Sequence, residues 1–265
     1  MLNCYVKNRI IMSSLVFAFF VSPATFAVSY YAGISGGNQY LINDASIDFV
    51  LGPAYDPDTI DNISVNTDEN VGDSGGVGEV YFGVASMPYS SVYFGLEANV
   101  TGFSASSNSE LGSYTSENNT IQISSDSSVK YAVGLSIMPG YVFSDSTMVY
   151  ARMGIEYARF DNKLAASNVI YNSTDPAAGF SADSIAYRAG LGVEHYVSPS
   201  VSLRVEGDFW HLNKIDNSLR YSPWSSTLWA DRVSKFSINM ITATVGLTYH
   251  FGASGSDAFV VADMS

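Results

Sequence analysis

Cysteine is almost absent from this 265-residue chain; Cys4 is the only one. It precedes the apolar stretch 10–21, within a segment that reads as a secretory leader over residues 1–27. Lys7 and Arg9 supply the positive end of that leader, and Thr25-Phe26-Ala27 places small residues where a signal peptidase reads. The exported chain therefore has no thiol, which excludes disulfides, zinc–thiolate sites and cysteine nucleophiles. Cations are also scarce, with 12 Lys and Arg against 25 Asp and Glu. Removing the leader takes away Lys7 and Arg9 and no acid, leaving 10 basic against 25 acidic residues, a formal charge of −15. So acidic a chain is a poor nucleic-acid binder. Eight of the acids fall between Asp44 and Asp73 with no base among them. No later apolar run is long enough for a transmembrane helix, so any membrane-spanning structure has to be a closed barrel.

What is present is a period of two. In Tyr187-Arg188-Ala189-Gly190-Leu191-Gly192-Val193-Glu194, the apolar residues share one face, and the charges and glycines share the other. An apolar outside with charges inside inverts a soluble barrel and fits a wall set in lipid. The pattern predicts eight strands, at 29–41, 78–87, 92–104, 129–143, 148–162, 184–197, 201–212 and 236–251. Short turn-like connections at 88–91, 144–147 and 198–200 alternate with long polar ones near 42–77, 105–128, 163–183 and 213–235. This is the order expected of an eight-stranded antiparallel up-and-down transmembrane β-barrel over residues 28–251, with four long surface loops. Residues 252–265 follow as a short periplasmic tail.

The tight turn at Ser198-Pro199-Ser200 predicts a register in which Glu194 faces Arg204, with both side chains in the lumen. Parity adds Glu79, Glu97, Arg152, Glu156, Arg188, Glu206 and Asp208. A barrel of about eight strands is only just wide enough for its own side chains, so these charges should form a packed ion-pair network. The alternative is a small passive channel lined by Arg188, Arg204, Glu194 and Glu206. The lipid belt is expected to hold Tyr30, Phe82, Phe94, Leu96, Leu135, Ile137, Met153, Ile155, Leu191, Val193, Leu203, Val205, Val245 and Leu247.

The last strand, Ala243-Thr244-Val245-Gly246-Leu247-Thr248-Tyr249-His250-Phe251, resembles the terminal strand read by bacterial outer-membrane assembly machinery. Leu247, Tyr249 and Phe251 would carry that signal. Tyr30-Tyr31-Ala32-Gly33-Ile34-Ser35-Gly36-Gly37 resembles the first strand of small barrels similar to outer-membrane protein A. The stretches 191–194 and 203–207 resemble later strands of the same barrels. The resemblance covers residues 28–251 and implies a bacterial outer-membrane location. Its members act as envelope anchors, surface antigens, adhesins and serum-resistance factors. The chain departs from them by continuing fourteen residues past Phe251.

Candidate chemistry is sparse. Asp208-Phe209-Trp210-His211 is the only acid–histidine cluster in the sequence, and parity sends Asp208 inward and His211 outward. A general base needs hydrogen-bond reach to its proton, and no histidine–serine constellation is visible. The sequence therefore reads as non-enzymatic, without cofactor or metal. Acids at 56–61 and 68–70 lack the spacing and central glycine of a calcium loop. The fourth loop sets Tyr221, Trp224, Trp229 and Arg232 together, residue types that dominate binding hot spots. The expected partners are outer-membrane lipid and lipopolysaccharide, the assembly machinery and a host surface ligand.

Overall fold

The computed structural model describes residues 28–51, 62–66, 71–89, 91–116, 119–168, 173–174, 178–221 and 230–251. Residues 1–27, expected to be a leader, residues 252–265, expected to be a tail, and Trp224 and Trp229 lie outside the described residues, as do the side chains of Tyr221 and Arg232. In chain order the strands are β1 (Val28–Leu51), β2 (Asn62–Asn66), β3 (Val71–Tyr89), β4 (Val92–Phe103), β5 (Ser106–Ser116) and β6 (Asn119–Ser144). They continue with β7 (Thr147–Asn168), β8 (Ser173–Thr174), β9 (Ala178–Ser198), β10 (Val201–Tyr221) and β11 (Ala230–Phe251).

Eight of these make the wall, ordered β1-β3-β4-β6-β7-β9-β10-β11, every neighbour antiparallel, with β11 pairing back to β1. Closure satisfies the backbone hydrogen bonds without leaving an edge in lipid. Strand β4 shows the alternation directly, exposed and buried residues taking turns from Val92 to Phe103. All fourteen belt residues expected from the sequence face outward. The buried residues face the lumen, which is where the core of this fold sits.

Above the lipid level the structure departs from the expected loops. β1 runs on to Leu51, β10 to Tyr221 and β7 to Asn168, while β5 pairs with the start of β6. Much of what read as loop is therefore hairpin extending the wall outward. The reason is physical: once both faces of a strand are wet, backbone pairing persists but apolar alternation is no longer required. The extended wall also divides. β10 leaves β9 after Leu212 pairs with Ala186, then continues with β11 alone among the described residues.

Candidate functional site

The short turn between β9 and β10 puts Glu194 directly across from Arg204, with Tyr196 opposite Ser202 and Gly192 opposite Glu206. All nine charged residues singled out from the sequence are buried in the lumen. Three guanidiniums organise them. Arg152 lies 3.0 Å from Glu79 and 2.9 Å from Glu206, and its other nitrogen also binds Glu97. Arg188 binds Glu79 at 2.6 Å, and Glu206 and Asp208 at 2.8 Å each. Glu156 is at the edge of the set, 4.0 Å from Arg188 and accepting a hydrogen bond from Asn99. Arg204 joins Glu97 at 2.7 Å to Glu194 at 3.1 Å. Glu79, Glu97 and Glu206 each bridge two arginines, so one network links five strands of the wall, β3, β4, β7, β9 and β10.

The lumen also has an apolar part that charge parity does not reveal. Towards the outside, Leu41, Phe103, Phe160, Trp210, Leu212 and Met240 belong to one buried cluster. Trp210 meets Phe103 edge-on at 5.5 Å and lies 4.5 Å from the Arg188 guanidinium. Towards the periplasm, Tyr31, Tyr81, Tyr93, Met138, Met148 and Tyr150 form a second cluster. Arg204 lies over the Tyr81 ring at 4.4 Å, and Tyr150 donates to Glu206 at 2.6 Å. Ion pairs thus occupy a middle layer between two plugs of large side chains. The sequence signal for the plugs was available: Tyr31, Tyr81, Tyr93, Tyr150 and Trp210 all sit at inward parity.

The absence of a histidine–serine pair does not hold in three dimensions. Ser202 Oγ is 3.0 Å from His250 Nε2, which is also 3.0 Å from Glu194 Oε1. The residues come from β9, β10 and β11, so no local motif could announce them. The arrangement differs from a catalytic triad, in which the acid orients the far side of the imidazole. Here serine and glutamate share one nitrogen, and the other faces Tyr196 OH at 3.4 Å. Ser202 is fully buried, and Glu194 is committed to Arg204. His211 points away from Asp208 and contacts Asn239 at 2.8 Å, while the exposed His195 contacts Thr147 at 2.8 Å. Leu247, Tyr249 and Phe251 face outward on β11, with Tyr249 and Phe251 in edge contact at 5.1 Å.

A closed eight-stranded antiparallel wall with a lipid-facing apolar belt and a charged interior defines a bacterial outer-membrane β-barrel. The family model for the OmpA-like transmembrane domain matches residues 92–255. The chain belongs to that family and is located in the bacterial outer membrane, surrounded by its lipid. No curated protein matches the chain significantly. Among solved structures it is similar to the outer-membrane protease OmpT of Escherichia coli, at 12% identity and TM-score 0.48, over 86% of this chain and 99% of that one. Neisserial surface protein A is similar at 10% identity and TM-score 0.32, over 80% and 97%. So is Ail, the attachment invasion locus protein of Yersinia pestis, at 10% identity and TM-score 0.31, over 81% and 99%.

Proposed function

We propose that this barrel is a non-catalytic surface protein: a closed anchor that holds its outward hairpins at the cell surface, for contact with host, lipopolysaccharide or neighbouring proteins, and that stiffens the envelope. The observation that carries this reading is the filled lumen. A passive channel needs a continuous water path, whereas here a cross-linked ion-pair layer lies between two apolar clusters. With the interior occupied, the parts free to act are the outward extensions of β1, β5–β6, β7, β9, β10 and β11. Against an enzyme stands the burial of Ser202 and the sharing of one His250 nitrogen between Ser202 and Glu194. Leu247, Tyr249 and Phe251 on the last strand are our candidates for the assembly signal, and Tyr221, Trp224, Trp229 and Arg232 for the contact surface.

The test compares adherence to cultured epithelial cells by bacteria displaying the intact chain, the Trp224→Ala/Trp229→Ala variant, or variants with each outward hairpin shortened. Loss of adherence with retained heat-modifiable gel mobility is expected for at least one variant. Full adherence by all of them removes host contact from the proposal.

A further inference from the structure

Outside the lumen, the described cations divide into paired and unpaired. Arg159 is held by Asp183 at 2.9 Å and reaches Asp161 at 3.9 Å. Lys130 and Lys163 are exposed and have no ion-pair partner among the described residues. Both line one polar cavity of about 260 Å³, together with Asp126, Asp161, Ser106 and Ser128.

A break in the wall creates this cavity. β4 stops pairing with β6 at Gly102 and Tyr131, and β5 takes over at Ser106 and Ser128. In between, a bulge in β6 between Val129 and Tyr131 leaves Lys130 as the extra residue. Bulges re-aim side chains in this way. One acceptor in the cavity is unused: Oδ1 of Asp126 is buried without a hydrogen-bond partner. Such an atom is costly unless a donor arrives.

Below the cavity, on the same β4, β6 and β7, an apolar groove of about 1200 Å³ runs down the lipid-facing wall past Val100, Val133, Leu135, Ile155 and Tyr157. Val133 pairs with Tyr157, and Tyr131 pairs with Arg159. The last tyrosine of the groove is therefore two residues, roughly 7 Å, from the charged rim.

We propose that cavity and groove together hold one phosphorylated, acylated amino sugar of the outer leaflet, the headgroup chemistry of lipopolysaccharide. The phosphate lies between the Lys130 and Lys163 ammonium groups. A sugar hydroxyl or amide N–H donates to Asp126 Oδ1, and an acyl chain follows the groove. The two carboxylates of the cavity disfavour a bare anion and favour a ligand that also brings donors. This site deepens the surface-protein reading and rests on its outward placement of the hairpins.

Native mass spectrometry of the refolded barrel, titrated with lipid A in the presence of a chelator, tests the site. Both lysines are exposed, so Lys130→Ala/Lys163→Ala should fold. One lipid A is expected to bind the wild type, at least tenfold more weakly the double alanine variant, and nearly normally Lys130→Arg/Lys163→Arg. Dephosphorylated lipid A should lose as much affinity as the alanine variant does. Equal binding by wild type and alanine variant overturns the proposal. So does displacement of lipid A by equimolar inorganic phosphate, which would make the cavity a simple anion site. Neither failure touches the sealed lumen, which is tested separately by conductance.

Discussion

Glu194 and Arg204 are ten residues apart in the chain yet meet as register partners across β9 and β10, Arg204 Nη2 lying 3.1 Å from Glu194 Oε2. Arg204 also holds Glu97, so its removal takes a cationic partner from two buried carboxylates at once, leaving Glu97 with Arg152 and Glu194 with Ser202 and His250. Breaking a buried pair from one side costs about 3–5 kcal/mol. Arg204→Met should lower the urea midpoint of the refolded barrel accordingly, and Glu194→Gln/Arg204→Met should recover part of the loss. An unchanged midpoint for Arg204→Met would contradict the network.

Gly192 makes room for Tyr150. A Cβ at Gly192 would collide with the Tyr150 ring at Cζ, and the phenol it would displace donates to Glu206 at 2.6 Å. Gly192→Ala should therefore cost about 1–3 kcal/mol by overpacking. Adding Tyr150→Leu should return some of it, since the obstructing ring is gone. The same urea titration reads both variants, and additive losses would show that the two positions do not touch.

The proposed non-catalytic role predicts that Ser202 does not act as a nucleophile. The folded barrel should resist labelling by a fluorophosphonate probe over hours at neutral pH, because Ser202 is fully buried and its histidine is shared with Glu194. Stoichiometric labelling that disappears in Ser202→Ala would reinstate a hydrolase.

Asp183 lies at the outer rim, above the membrane-spanning part of the wall. Hydrogen bonds from Tyr157, then from Arg159, hold its carboxyl below the usual carboxylate range. A lowered folded value gives stability that is present above the unfolded pKa of roughly 3.9 and is lost as pH falls through the folded value. The group is exposed, so the effect is small. Asp183→Asn should be slightly less stable than wild type at pH 7, and the difference should vanish in strong acid. A difference that grows on acidification would contradict the pairing.

The wall was readable because two solvents act on it. Lipid on one side and a narrow lumen on the other impose a strict period of two, so the fourteen belt residues and the inward parity of Glu79 or Arg188 follow from counting. The tight turn at 198–200 fixed the Glu194–Arg204 register in the same way. Above the membrane both faces of each strand are wet, the constraint disappears, and the outer halves of β1, β7 and β10 looked like loops. The Ser202–His250–Glu194 cluster was hidden for another reason: closure of the sheet, not spacing along the chain, brings its strands together. The Lys130 cavity depends on a bulge and a change of pairing partner, neither of which carries a composition signal.

The most direct measurement is single-channel conductance of the refolded barrel in a planar bilayer. A lumen sealed by the Arg152, Arg188 and Arg204 network between its two apolar clusters gives a flat trace from protein shown to be folded. Steady, reproducible openings that change when Arg204 or Glu194 is neutralised would mean that water and ions pass, and the passive channel would replace the closed anchor.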